Sequence, residues 1–132
     1  MPMNLLRCDH IHLIAVDVEA TRQWYVHVLG ARVTFQGSFR GSTVYYLDIA
    51  GTTFVVFGQL ENDAAPVPGT VAPKTGVDHF GFSVGNLAET IAELKDLGVR
   101  ILEGPVLVRS GLQIAYIEGP DHIRIELCER NG

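Results

Sequence analysis

The sequence predicts an α+β fold made of two βαβββ modules, and two observations support this prediction. Hydrophobic periodicity gives a strand, a helix and three strands, and then gives the same series again. Short motifs also recur in the same order at nearly one spacing. Asp9-His10 matches Asp78-His79 at an offset of 69 residues, Leu29-Gly30 matches Leu97-Gly98 at 68, and Tyr45 matches Tyr116 at 71. Such a repeat indicates one domain built from two copies of a supersecondary unit.

The first module is predicted over about residues 7–58. Its helix has a clear period of 3.6 residues and ends where a glycine can adopt a left-handed conformation, at Gly30. Ala50-Gly51 is typical of a tight turn between strands. The predicted elements are a strand over Asp9–Val16, a helix over Val18–Leu29, and strands over Arg32–Gln36, Val44–Ile49 and Thr53–Phe57.

A linker is predicted over about residues 59–76, because this stretch holds three of the six prolines and shows no apolar period. The second module follows over about residues 77–130. Its predicted elements are a strand over Asp78–Val84, a helix over Leu87–Leu97, and strands over Arg100–Leu102, Leu112–Ile117 and Ile123–Cys128.

Composition excludes several functions. The 132 residues suit a single domain, and a hydrophobic content of 47% excludes a disordered chain. A net charge of −5 argues against nucleic acid, which is bound through Lys and Arg. No apolar run reaches the roughly 20 residues of a membrane helix, and Met1–Arg7 shows no secretory signal. The two cysteines, Cys8 and Cys128, are too few for a disulfide framework, so a cytoplasmic location is predicted.

Three of the predicted strands are apolar on one face and polar on the other. In the first strand Leu13 and its neighbours of the same parity are apolar, whereas His10 and His12 share the opposite face. The fifth strand presents His79 in the same way, and the last presents Glu126 together with Arg124. The pattern predicts an open, curved, mixed sheet with helices on one face and a cavity on the other.

Two histidines and a carboxylate are the ligand set favoured by borderline divalent metals. His10, His79 and Glu126 are therefore the candidate metal ligands. The repeat places Val55 at the fourth equivalent position, ten residues after Tyr45 as Glu126 is ten after Tyr116. The alternative for each histidine alone is an ordinary hydrogen-bonded residue, and only their joint occurrence at matched positions favours a metal site.

Other polar residues have two interpretations each. His12 is a candidate acid or base, or a buried imidazole that supports a ligand. Tyr45 and Tyr116 are cavity-lining donors or core residues, and Arg124 binds an anionic substrate or pairs with a carboxylate. His27 on the first helix and His122 in a turn are interpreted as surface residues.

These segments resemble the vicinal oxygen chelate superfamily, which includes glyoxalase I, methylmalonyl-CoA epimerase, fosfomycin-resistance transferases, extradiol dioxygenases and bleomycin-resistance proteins. The matching segments are Asp9–Leu13, Trp24–Gly30, Asp78–Phe82 and Glu118–Leu127. The resemblance implies a small-molecule substrate and a homodimer. It also implies that His10, His79 and Glu126 hold a divalent ion, either Fe, Mn, Zn, Ni or Co, that stabilises an oxyanion on the substrate.

Departures from the family patterns limit the range of reactions that the resemblance implies. Glyoxalase I has a second glutamate where Val55 stands, and valine neither ligates nor accepts a proton. The fosfomycin enzymes place a tyrosine where Tyr116 stands and a serine where Ser110 stands. The resemblance therefore makes His12 and Tyr116 the catalytic candidates, and Arg124, Tyr45 and Ser110 the substrate-binding candidates.

Two functions are expected. The first is a metal-dependent lyase, isomerase, transferase or dioxygenase acting on an oxygen-bearing substrate. The second is a metal-free protein of the bleomycin-resistance type that sequesters a small molecule.

Overall fold

The computed structural model describes residues 3–131, so Met1, Pro2 and Gly132, the ends of the predicted domain of residues 1–132, lie outside the described residues. Within residues 3–131, eight strands and two α-helices follow one another in the predicted order. They are β1 His10–Ile14, α1 Val18–Leu29, β2 Arg32–Phe39, β3 Ser42–Ile49, β4 Thr52–Phe57, β5 His79–Ser83, α2 Leu87–Asp96, β6 Ile101–Arg109, β7 Leu112–Glu118 and β8 Arg124–Arg130, with a short 3₁₀ turn at Pro120–His122.

The chain divides into two compact units, Met1–Pro66 and Val67–Gly132, and each contains one βαβββ module. In the first unit the strands form a four-stranded sheet in the order β1-β4-β3-β2. β1 and β4 are parallel, and the other neighbours are antiparallel. The second unit repeats this arrangement in the order β5-β8-β7-β6, with β5 parallel to β8. The predicted α+β class and the repeated modules are confirmed.

Helix α1 begins and ends at the residues that the sequence predicted. The Asp17 carboxylate accepts a hydrogen bond from the Ala20 amide at 2.9 Å, which satisfies one amide of the first turn. Gly30 ends the helix with φ 70°, a conformation that glycine adopts without steric cost. Tyr25 on the inner side of α1 is fully buried, as are Leu47 and Val56 of the sheet. The core of the first unit therefore lies between α1 and one face of its sheet.

Helix α2 is fixed in a similar way. Asn86 caps it by accepting a hydrogen bond from the Glu89 amide at 3.0 Å. Glu129 of β8 accepts a second one from the Leu87 amide at 2.6 Å. This contact ties the first turn of the helix to the strand that carries Glu126. Leu87, Ile91 and Leu94 form the buried stripe of the helix.

Strand β6 is longer than predicted. The sequence prediction ended this strand at Leu102, just before Gly104-Pro105, a dipeptide that is typical of a strand break. In the structure the strand continues to Arg109, and the pairing with β7 shifts between Glu103 and Val106. A bulge at the edge of a sheet accommodates proline because the lost amide bond is not needed there.

The predicted linker has no regular structure, since residues 58–78 contain neither helix nor strand. Hydrogen bonds anchor it at both ends. Glu61 donates its amide to the Arg40 carbonyl at 2.7 Å in the first unit, and Gly69 donates to the Asp121 carbonyl at 3.0 Å in the second. Neither of the α-helices in residues 3–131 is long and apolar enough to cross a membrane. Both cysteines are free.

Candidate functional site

The polar face of the first sheet carries His10 and His12. The two side chains lie on the face of β1 opposite to Leu13, which is buried against the helix side. Register places His12 opposite Val55 on β4, and Val55 opposite Tyr46 on β3. One row of this face therefore contains an imidazole, an aliphatic side chain and a phenol.

His10 is oriented by the residue before it. Its Nδ1 atom lies 2.9 Å from the Asp9 carboxylate. This hydrogen bond lowers the pKa of Asp9 below its ordinary value. An aspartate on Nδ1 fixes the tautomer that leaves Nε2 unprotonated, which is the form that binds a metal.

A cavity of about 350 Å³ opens on the same face. Four aromatic rings line it, and together they are called here the aromatic cavity. They belong to Phe35, Phe39, Tyr46 and Phe57, and the cavity is completed by His10, His12, Ser38, Val44 and Val55. The His12 ring lies 4.0 Å from the Phe57 ring between centroids. Burial, and then the nearby His10, lower the pKa of His12.

The corresponding face of the second sheet is polar. His79 Nε2 lies 3.0 Å from Glu126 Oε2, and His79 Nδ1 lies 2.7 Å from the Asp78 carboxylate. The His79 hydrogen bond, and then the charge of Arg124, lower the pKa of Asp78. Both side chains of the pair are largely buried, at 26% exposure for His79 and 20% for Glu126. Asp78 thus binds the Nδ1 atom of His79 in the same way as Asp9 binds that of His10.

Tyr116 and Arg124 stand beside this pair. The Tyr116 ring meets the His79 ring edge to face at 5.0 Å. The Arg124 guanidinium lies 4.2 Å from the centroid of the Tyr116 ring and 3.9 Å from the Asp78 carboxylate. Burial, and then the Glu126 carboxylate, raise the pKa of Tyr116, so its hydroxyl remains a donor at neutral pH. The guanidinium therefore pairs with the Asp78 carboxylate and stacks on an aromatic ring, and its binding of an anionic substrate stays a prediction.

Tyr45 does not lie at the cavity. It is 6% exposed on the helix-covered face, where its hydroxyl donates to Glu19 of α1 at 2.6 Å. The sequence alignment of Tyr45 with Tyr116 was wrong by one residue. Val55 opposes Tyr46 as Glu126 opposes Tyr116, so Tyr46 is the equivalent residue. In a strand, a shift of one position exchanges the two faces.

The remaining predicted residues are dispersed. Ser110 lies exposed in the turn between β6 and β7. His27 is exposed in the last turn of α1, as predicted. His122 follows Asp121 in the turn before β8, and its Nδ1 lies 3.5 Å from Glu118. Cys128 shares the face of Glu126, and burial raises the pKa of its thiol.

Sequence reasoning missed two groups of residues. It gave no role to Asp9 and Asp78, although the repeated Asp-His dipeptide was the signal that aligned the modules. It also missed the four rings of the aromatic cavity. Phe35 and Phe39 alternate along β2, but the prediction ended that strand at Gln36.

The donor set of the second unit fits a divalent ion in part. His79 Nε2 and Glu126 Oε2 are in direct contact, and the Asp78 carboxylate binds the other nitrogen of the imidazole. Within residues 3–131, no three His, Cys, Asp or Glu side chains are grouped closely enough to form a complete metal site. The second unit therefore brings together two side chains of the types that ligate divalent metals.

Comparison with known proteins is consistent with this fold. Residues 7–127 match the family model described as the Glyoxalase/Bleomycin resistance protein/Dioxygenase superfamily. The uncharacterized protein YwkD of Bacillus subtilis (strain 168) is 27% identical over 128 residues, which are 97% of this chain and 100% of YwkD.

Two solved structures illustrate the structural likeness. The crystal structure of SMU.1112c has a TM-score of 0.80 at 26% identity, with 96% of this chain and 100% of that chain covered. The fosfomycin resistance protein FosX from Listeria monocytogenes, complexed with Mn(II) and sulfate, has a TM-score of 0.67 at 18% identity, with 99% and 95% covered.

Proposed function

Because this chain belongs to the Glyoxalase/Bleomycin resistance protein/Dioxygenase superfamily, also called the vicinal oxygen chelate superfamily, we propose that it is a divalent-metal-dependent enzyme. The ligands would be His10, His79 and Glu126. The substrate would be a small molecule that presents two adjacent oxygen atoms. When bound, the ion supplies Lewis-acid stabilisation of the oxyanion that develops on such a substrate.

The observation that carries this proposal is the arrangement around His79. An imidazole held by a carboxylate on Nδ1, with a second carboxylate at 3.0 Å from Nε2, is typical of a ligand pair with its supporting residue. His10 has the same support from Asp9. The assignment of His10 to the same ion rests on the sequence repeat and on the family resemblance. The Mn(II) complex of FosX supports a divalent ion in this fold.

The chain's own residues would bind and move protons. His12 is the proposed acid or base, because a largely neutral imidazole accepts a proton at neutral pH. The Tyr116 hydroxyl, held protonated beside Glu126, would donate a hydrogen bond to a substrate oxygen. Val55 at the fourth position offers no ligand and no base, which disfavours the glyoxalase I reaction and favours chemistry that needs only three protein ligands.

Metal analysis with one substitution tests the ligand set. We expect the purified protein to carry about one equivalent of a divalent ion, and Glu126→Ala to lose it, since one of three ligands is removed. Glu93→Ala, which changes an exposed glutamate of α2, is the matched control and should retain the metal. Elemental analysis after dialysis measures both.

Two outcomes would overturn the proposal. One is a wild-type protein that takes up no divalent ion, and the other is undiminished metal binding by Glu126→Ala. A ligand bound tightly by metal-depleted protein would then favour the sequestering function of the bleomycin-resistance type.

A homodimer is part of the proposal, by resemblance to the superfamily. Light scattering during gel filtration should give twice the mass of the chain at micromolar concentration. A mass equal to one chain would contradict it.

A further inference from the structure

The corresponding faces of the two sheets differ in polarity at matched positions. Val55 is paired with Tyr46 in the first sheet, and Glu126 is paired with Tyr116 in the second. Val55 and Glu126 therefore occupy equivalent positions. Phe35 also lies opposite Tyr46, and Glu103 lies opposite Tyr116. Phe35 and Glu103 are therefore equivalent positions of the two sheets. Two carboxylates of the second sheet are thus replaced by an aliphatic and an aromatic side chain in the first.

A third position follows the same trend. Phe57 pairs with Ile14 at the end of β4, and Cys128 pairs with Ser83 at the matching place in β8. A thiol in the second unit corresponds to a phenyl ring in the first. At these three positions the second face carries two carboxylates and a thiol, whereas the first face carries one aliphatic side chain and two phenyl rings.

The four rings of the aromatic cavity form contacting pairs. Phe35 lies 5.1 Å from Tyr46, and Phe39 lies 5.9 Å from Phe57, between centroids. These are separations at which aromatic rings attract each other. Yet Phe35 is 51% exposed and Phe39 is 45% exposed. Clustered rings that remain this exposed are typical of a ligand-binding surface.

Apart from His10 and His12, the lining of the cavity within residues 3–131 carries no ionisable side chain except the Tyr46 phenol. Among the described residues that line it, none is Lys, Arg, Asp or Glu. A carboxylate or phosphate held against the four rings, away from the ion proposed at His10, would lose its hydration without a cationic partner among the lining residues. The volume of about 350 Å³ is at the lower end for ligand pockets, and exceeds the ~150 Å³ of an engineered cavity that holds benzene.

We propose that the aromatic cavity binds an uncharged aromatic ring of the substrate, so that the substrate class is a neutral arene bearing the chelating oxygens. This rests on the proposed function. His10 and His12 line the same cavity, so the ring would lie beside one proposed ligand and the proposed acid or base.

Three hydroxamic acids test the ring separately from the metal. Acetohydroxamic acid provides only the chelating oxygens, benzohydroxamic acid adds a neutral ring, and 4-carboxybenzohydroxamic acid adds a charge to that ring. Calorimetry on the full-length protein loaded with Mn(II) gives the three dissociation constants. Burial of the ring should make benzohydroxamic acid bind at least about tenfold more tightly than acetohydroxamic acid. The added carboxylate should weaken binding at least about tenfold.

Substitutions locate the effect. Phe39→Ala and Phe35→Ala should each reduce the preference for benzohydroxamic over acetohydroxamic acid to about threefold or less. Leu107→Ala, which removes an exposed apolar side chain from edge strand β6, should leave the preference unchanged. Equal binding of the two acids, a preference insensitive to both phenylalanines, or tight binding of the carboxylated probe would each overturn the proposal.

The design separates this inference from the proposed function. If acetohydroxamic acid binds metal-loaded protein and this binding is lost in Glu126→Ala, the metal site is supported. This result does not depend on whether the aromatic cavity binds a ring. If it binds equally with and without metal, the metal site is contradicted. The dependence of benzohydroxamic acid binding on Phe39 then decides the ring site independently.

Discussion

Each proposed ligand histidine follows an aspartate that binds its Nδ1 atom. The contacts are 2.9 Å for Asp9 with His10 and 2.7 Å for Asp78 with His79. Such a carboxylate orients the ring and raises its basicity, so it acts on a metal through the histidine. In the proposed metal site, Asp9 and Asp78 would therefore be positioning residues rather than ligands.

Removing this support should weaken metal binding. Asp78→Ala is expected to reduce Mn(II) affinity by about 10–100-fold. Asp78→Asn should fall between this variant and the wild type, since its amide oxygen still accepts the hydrogen bond. Titration calorimetry measures the affinities, and Asp96→Ala at the end of α2 is the control. Wild-type affinity in Asp78→Ala would contradict the positioning role.

Glu19 of α1 gives the stability a predictable pH dependence. Hydrogen bonds from Arg22, and then from Tyr45, lower its pKa from the ordinary 4.5 to about 2. The unfolded chain therefore binds a proton on Glu19 at a higher pH than the folded chain does. The resulting stabilisation is fully present above pH 4.5 and is lost as the pH falls from 4.5 toward about 2.

Glu19→Gln isolates this contribution. Urea unfolding at several pH values should show a difference in free energy of unfolding between wild type and Glu19→Gln that is constant above pH 5 and shrinks on acidification. The exposed Glu93→Gln is the control. A difference that grows as the pH falls would contradict the assignment.

At the scale of elements, the second unit tolerates a glycine and a proline within β6 because the strand lies at an edge. Gly104 has φ 91°, and a Cβ there would lie 2.6 Å from the Ile114 carbonyl oxygen and 2.9 Å from Ala115 Cα. Both atoms belong to the backbone of β7, which is paired on both sides. Neither can move away cheaply.

Gly104→Ala should therefore be more destabilising than an ordinary glycine substitution. We expect a loss of about 3 kcal/mol, which combines about 1–2 kcal/mol for the positive φ with the cost of displacing β7. Gly98→Ala is the matched control: its φ is 79°, but a Cβ there meets nothing within 4 Å. It should cost about 1 kcal/mol. Chemical denaturation measures both, and equal losses would show that β7 yields freely.

At the scale of the whole molecule, the proposed ligand set takes His10 from the first unit and His79 and Glu126 from the second. A metal that binds only the folded protein stabilises each unit that supplies one of its ligands against unfolding. The single tryptophan, Trp24, lies on α1 and reports on the first unit alone.

Mn(II) at about one hundred times its dissociation constant should therefore raise the Tm reported by Trp24 fluorescence by about 10 °C. His10→Ala should abolish this shift, whereas His27→Ala on the exposed side of α1 should not. If Mn(II) does not change the Tm reported by Trp24 fluorescence in the wild type, His10 is not a ligand.

The sequence by itself determined the class, the repeat and the boundaries of α1, because these depend on local signals. Apolar periodicity and the glycine at position 30 are read within a few residues of each other. The contacts within the two Asp-His dipeptides are equally local, because a strand residue and its predecessor are always close in space.

Only the tertiary structure decided which tyrosine lies at the cavity, how far β2 and β6 extend, and what lines the aromatic cavity. These depend on strand register and on which edge of a sheet is free, and both arise from contacts between residues distant in sequence. A shift of one residue moved Tyr45 under α1 and brought Tyr46 to Val55. The alternation along a strand predicts that two faces exist, but register with the neighbouring strand fixes which side chains share one.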